Sequence, residues 1–300
     1  MSFASSVKTE CCRLPYQRAC CARAEAYGIL LYCNTFTNRE VRVITENADF
    51  AARVPKLFQR AFGVAFDHLP AGELSANEKY IFGLTQEDKL RHIIDSLGFS
   101  PRQNMVLHIN LGLLEEKCCR IALLRGAFLA GGSVTDPNKR YHLELATPHA
   151  QASRELATLL DEMGLTPKMA TRAGNTVLYF KQSEQIEDLL TLMGAPVAAM
   201  ELMNAKMEKD LRNQVNRRVN CDAANVEKSV DASRQQVESI TRLMDSGRLS
   251  ELSAQVQEVA VARILHPELS LSELAATFDP PITKSCLNHR MRKLMQWSGQ

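Results

Sequence analysis

Apolar positions in the first two thirds of the chain follow a fixed order: a helical run, an alternating run, a second helical run, a strand pair and a third helical run. That order occurs twice. Cys20 to Tyr32 aligns with Cys118 to Ala130 without a gap, 98 positions apart. After each copy come a polar turn and a short alternating stretch, Val41-Arg42-Val43-Ile44-Thr45 and Tyr141-His142-Leu143-Glu144-Leu145, which predicts a half-buried strand. Helices follow from about Phe50 to Phe62 and from about Gln151 to Met163, stopped by Gly63 and Gly164. Strand pairs come next, Val64 to Phe66 with Lys79 to Leu84, and Lys168 to Thr171 with Thr176 to Phe180. The second pair turns at Ala173-Gly174-Asn175. Gln86 to Gly98 and Gln182 to Gly194 close the units at an offset of 96. Each unit reads α-β-β-α-β-β-α, so the fold class is α+β.

Past Gly194 the repeat stops and the pattern becomes wholly helical. A stretch without Gly or Pro runs from Val197 to Val215 and on to Cys221; further helices are expected from about Ser233 to Met244 and from Leu249 to Leu265. Ser270-Leu271-Ser272-Glu273 is a capping box opening a short helix whose apolar face is Leu271, Leu274, Ala275 and Phe278. Asp279-Pro280-Pro281 ends it, and Thr283 can cap a last helix from Lys284 to about Trp297. Two helices joined by a tight turn and preceded by supporting helices outline a helix-turn-helix domain. Three segments result: a duplicated domain over 1–195 (copies about 14–99 and 112–195), a basic linker over 196–232, and an all-α helix-turn-helix domain over 233–300.

Charge sharpens this picture. With 36 Lys plus Arg against 34 Asp plus Glu, the net charge is +2, so a polyanion can be held only where basic residues are locally sorted. Two stretches meet that demand. The linker carries Lys206, Lys209, Arg212, Arg217 and Arg218 against Glu208 and Asp210, a candidate phosphate contact or else a solvated face. The last helix has no acidic neighbour beyond Asp279. Its Leu287, Met291, Leu294 and Met295 share one face, while Ser285, Asn288, His289 and Arg292 share another at i, i+3, i+4, i+7. Asn pairs with adenine and Arg with guanine in the major groove, whereas Lys284 and Lys293 suit phosphates; Arg290 adds to the charge. Double-stranded DNA is therefore the expected partner, and a helical protein-interaction scaffold without DNA affinity is the alternative.

Nine cysteines (Cys11, Cys12, Cys20, Cys21, Cys33, Cys118, Cys119, Cys221, Cys286) include three adjacent pairs and no Cys-x-x-Cys. That spacing predicts buried thiols in a reducing cytoplasm, without a disulfide framework, a zinc site or any cofactor. No apolar stretch reaches the length of a membrane span, and Met1 to Arg13 has no signal-peptide run. A cytoplasmic, soluble protein without a small-molecule substrate is expected.

The segments Ala26 to Asn34 and Leu124 to Gly132 resemble the LAGLIDADG helix of homing endonucleases. The resemblance implies paired helices packed on glycine, with acidic residues at their ends holding metal ions for phosphodiester hydrolysis. Here the two acidic positions fall on Leu31 and Cys33, and on Leu129 and Gly131. None can bind Mg²⁺, and Asp136 stands in a Thr-Asp-Pro-Asn turn off the helix. No catalytic or metal-binding residues are expected; an active metal-dependent DNA endonuclease is the second alternative.

The whole chain resembles the WhiA family of bacterial DNA-binding regulators. The resemblance is carried by Leu124 to Val134 with Asp136-Pro137, by Arg217-Arg218-Val219-Asn220-Cys221-Asp222-Ala223-Ala224-Asn225, and by Pro280 to Leu294. It implies a transcription factor tied to sporulation, or to cell division and chromosome segregation, associated with the nucleoid. A sigma factor or another regulator is the protein partner it suggests.

Overall fold

The computed structural model describes residues 2–15, 18–70, 79–99 and 106–298. The chain divides into two compact units, Met1–Lys209 and Asp210–Gln300. In the first, α2 (Ala19–Tyr32), β1 (Thr35–Phe36), β2 (Val41–Thr45), α3 (Ala48–Phe62), β3 (Tyr80–Leu84) and α4 (Glu87–Ser96) form the first repeat. The second repeat runs α5 (Lys117–Gly131), β4 (Gly132–Val134), β5 (Leu143–Thr147), α6 (Ala150–Glu162), β6 (Lys168–Arg172), β7 (Asn175–Phe180) and α7 (Ser183–Met193).

Each repeat builds its own antiparallel sheet, ordered β1-β2-β3 and β4-β5-β7-β6. The alternating runs sit centrally: Val41 and Val43 of β2, and Leu143 and Leu145 of β5, face the core. Gly63 adopts the left-handed conformation (φ 68°) that ends α3, as a glycine C-cap does. One expected strand is missing. Val64 and Phe66 are buried but make no ladder; only His68 bridges to Gly83. Their alternation records burial, since Phe66 packs its ring on Phe58 at 4.7 Å and Phe82 at 5.5 Å. Among the described residues the first repeat thus reads α-β-β-α-β-α, and the second keeps the full α-β-β-α-β-β-α order.

A helix outside the repeat, α1 (Phe3–Cys12), packs against α3, α5 and β4. Asn47 joins it to the repeat. Its side chain caps α3 by accepting from Phe50 N at 2.8 Å and donates to Ser5 and Thr9. The core lies between α2 and α5, which have almost no exposed face: Ala26, Tyr27, Ile29, Leu30, Ala127, Phe128 and Leu129 are all fully buried.

The expected linker and the helix after it are one element, α8 (Pro196–Asp245), because neither Gly nor Pro interrupts it after Pro196. Pro196 opens the helix, where its missing N–H costs nothing. Glu10 of α1 accepts from the free amides of Val197 and Ala198 at 2.8 and 3.1 Å. Gly247 (φ 71°) follows α8. The helix expected from Leu249 begins instead as a 3₁₀ turn, Arg248–Glu251; Leu252 is then buried in an extended conformation, and α9 spans Ala254–Leu265. After it come α10 (Leu271–Ala276) and α11 (Lys284–Ser298). No helix among the described residues is long and apolar enough to cross a membrane.

Candidate nucleic-acid interface

The second unit is organised around a small core of Ile240, Leu243, Val256, Val259, Leu274, Leu287, Met291 and Leu294. Ser270 and Glu273 form the reciprocal capping box of α10, at 3.3 Å and 2.9 Å. The fully buried Arg263 of α9 donates to the carbonyls of Leu269 (2.6 Å) and His266 (3.3 Å), fixing the chain that enters α10. Thr283 Oγ1 then accepts from Cys286 N at 3.2 Å and starts α11. Arg248 lies over the Trp297 ring at 5.7 Å, near the far end of that helix.

These contacts settle which way α11 faces. Leu287, Met291 and Leu294 are buried and Met295 is half-buried, as its apolar spacing requires. At about 100° per residue, Ser285, Asn288, His289 and Arg292 fall within an arc of about 100° on the opposite side. Ser285, His289 and Arg292 are exposed and Asn288 is half-exposed. Lys284 and Lys293, also exposed, flank this arc on either side. Arg290 stands apart from it, donating to Gln255 of α9 at 3.3 Å. Arg290 therefore helps hold α11 on α9.

The basic residues of α8 are arranged differently. Lys206 pairs with Glu184, and Lys209 donates to the Pro137 carbonyl while lying 4.6 Å from the Tyr141 ring centroid, so both serve the first unit. Arg212, Arg217 and Arg218 are fully exposed in a stretch, 210–232, where every residue is exposed. Their side chains leave the helix at about 0°, 140° and 240°, so they do not make one basic face.

At the C-terminal ends of α2 and α5, none of the four positions where the homing-endonuclease resemblance places metal-binding acids carries a carboxylate. Leu31 and Leu129 are fully buried. Cys33 is buried too; the carbonyls of Leu30 and Thr35 both lie within reach of its single S–H, at 3.3 and 3.2 Å, and burial pushes the thiol up to about 12. A Cβ on Gly131 would lie 2.4 Å from the Ala146 carbonyl oxygen and 3.1 Å from that of Tyr32, so a longer side chain has no room there. Asp136 closes its own turn by accepting from Asn138 N at 2.8 Å.

Comparison with known proteins decides the family. Residues 120–212 match the WhiA LAGLIDADG-like domain, and residues 215–298 match the WhiA C-terminal HTH domain. The "Probable cell division protein WhiA" of Ruminiclostridium cellulolyticum is 38% identical over 300 residues, covering 98% of this chain and 96% of the relative. This chain belongs to the WhiA family. The protein of the same name from Alkaliphilus metalliredigens is 35% identical, covering 99% of this chain and 97% of that one. The crystal structure of full-length DUF199/WhiA from Thermatoga maritima covers all of this chain and 98% of its own, with a TM-score of 0.60 at 19% identity. A WhiA fold, LAGLIDADG-like domain first and helix-turn-helix domain last, is thereby shared. Within it, α10 and α11 lie in the residues matched to the WhiA HTH domain, and most of α5 lies in those matched to the LAGLIDADG-like domain.

Proposed function

We propose that this WhiA-family chain is a sequence-specific DNA-binding transcription regulator serving cell division, chromosome segregation or sporulation, and that α11 reads the major groove. The observation that carries this reading is the sorting of α11. An apolar side is buried, and a polar side carrying Ser285, Asn288, His289 and Arg292 is flanked by Lys284 and Lys293. A helix so divided can present base-reading groups at its centre and phosphate-binding groups at its margins. Arg212, Arg217 and Arg218 would add nonspecific phosphate contacts from whichever side of α8 meets the duplex. The regulator acts in the cytoplasm at the nucleoid. A sigma factor or another regulator as protein partner is the family resemblance's further expectation.

The LAGLIDADG-like domain is, in this reading, not a nuclease. Phosphodiester hydrolysis with Mg²⁺ needs hard oxygen ligands, and the four positions offer two leucines, a buried thiol and a glycine without space for a larger residue. Its relatives' name, a probable cell division protein, supports a regulatory role.

Binding of the full-length chain to genomic fragments across a salt series tests the proposal. Arg292→Ala is expected to weaken a specific site by about 1–3 kcal/mol while leaving random duplex nearly unchanged. Equal losses on both would remove Arg292 as a reader. Lys284→Ala with Lys293→Ala is expected to weaken all duplexes alike and flatten the salt dependence by about 0.9 per lost contact. Affinity indifferent to salt would favour the scaffold, and Mg²⁺-dependent cleavage of plasmid DNA would restore the endonuclease.

A further inference from the structure

The cysteine spacing predicts no metal site, yet the fold brings two distant pairs of thiols together. Cys20 and Cys21 occupy the first turn of α2, and Cys118 and Cys119 the first turn of α5. The duplication places these two helices side by side. Their glycines bring the backbones into contact, Gly28 against Leu123 and Gly126 against Glu25. The four sulfur atoms consequently converge, all within 4.8 Å of one another.

The geometry points to a mononuclear tetrathiolate site for a zinc-class divalent ion, made by Cys20, Cys21, Cys118 and Cys119 and joining the two repeats. Four sulfurs held tetrahedrally at about 2.3 Å from Zn²⁺ lie about 3.8 Å apart, so closure requires movements of no more than about 1 Å. The spread is too small for an iron–sulfur cluster, whose several irons and bridging sulfides would have to fit between the cysteines.

Core filling does not account for the arrangement. Cys21 and Cys119 are buried, but Cys20 is exposed and Cys118 half-exposed. Two of the four sulfurs therefore stand where an ion can enter, and two where they are shielded. The remaining cysteines form no such group: Cys11 is buried beside the half-buried Cys12, Cys33 is buried by itself, and Cys221 and Cys286 belong to the other unit.

Burial pushes the Cys21 and Cys119 thiols up, and the two helix N-termini act against it. The four cysteines stand in the first turns of α2 and α5, at the positive ends of two helix dipoles. Binding replaces the thiol protons, which leave to solvent. A structural site closed by four protein ligands stabilises the folded state and has no open position for catalysis. It also lies at the opposite helix ends from Leu31, Cys33, Leu129 and Gly131, about 18 Å away along helices rising 1.5 Å per residue. The ion would clamp the repeat interface and take no part in DNA chemistry.

Titration of the reduced, chelator-stripped full-length chain with Co²⁺, followed by displacement with Zn²⁺, tests this. One equivalent is expected to bind with the visible bands of tetrahedral cobalt and a thiolate charge-transfer band, and to raise the thermal midpoint. Cys21→Ser with Cys119→Ser should abolish uptake. Cys20→Ser, at an exposed position that does not depend on packing, should keep the circular dichroism of the parent, shift the visible bands and weaken binding at least tenfold. Cys221→Ser with Cys286→Ser should change nothing. The site is overturned by any of three results: no saturable uptake by the reduced chain, uptake unaltered in Cys20→Ser, or a Cys20–Cys119 or Cys21–Cys118 disulfide that forms with no metal bound after reduction and stripping.

Discussion

Gly126→Ala is expected to destabilise the first unit by more than about 3 kcal/mol, read as the shift of its denaturation transition in the full-length chain. A Cβ at this position would lie 2.0 Å from the Glu25 carbonyl oxygen and 3.0 Å from Ile29 N. The obstacle is backbone, so no rotamer change relieves it, and overpacking of this kind costs about 1–3 kcal/mol even where side chains can move. The two-fold counterpart is as tight, with Gly28 facing the Leu123 carbonyl oxygen at 2.0 Å. Separating α2 from α5 to admit one methyl group would loosen the contact along its whole length. Gly63→Ala is the control. Nothing lies within 4 Å of its Cβ position, and only the left-handed backbone (φ 68°) opposes the change, at about 1–2 kcal/mol. If Gly126→Ala cost no more than Gly63→Ala, the close-packed helix pair would be wrong.

Glu25→Ala is expected to cost about 3–5 kcal/mol, measured by the same denaturation. Glu25 is 2% exposed and receives Arg53 through two bonds, at 2.6 and 3.0 Å, and Arg125 at 3.3 Å. Arg53 also donates to the carbonyls of Cys12 and Leu14, and Arg125 to that of Met193. One carboxylate thus pairs with two guanidinium groups that tie α2, α3 and α5 to the ends of α1 and α7. Removing it leaves both cations short of their counter-ion in the interior, where desolvation is no longer compensated. The arginines cannot turn outward without abandoning three backbone carbonyls, each costing about 1–3 kcal/mol if left bare. A loss below about 1 kcal/mol would mean that water reaches the pair.

Much of this arrangement is legible in the chain itself. The 98-residue offset carries the duplication because each copy must bury the same helix face against the other. Leu287, Met291 and Leu294 disclose the buried side of α11 through their spacing, and the capping box marks the start of α10. Local pattern misleads in other places. Val64 to Phe66 alternates like a strand, but alternation reports which residues are buried, while a ladder needs a partner edge that only the fold supplies. Arg290 adds to the positive charge of α11 by sequence, and its angle on the helix delivers it to Gln255.

The sequence by itself determined the two α+β copies, the helical last third, the sorted faces of α11 and the absence of acids at the ends of the paired helices. These follow from periodicity and residue type, which act over a few positions. Only the tertiary structure decided that Glu25 meets Arg53 and Arg125, and that Cys20 and Cys21 meet Cys118 and Cys119. Those partners are 28 to 100 positions apart. No short-range spacing rule spans such distances; the contact between two glycine-faced helices joins the cysteine pairs and brings Arg125 to Glu25, and the packing of α3 on α2 brings Arg53.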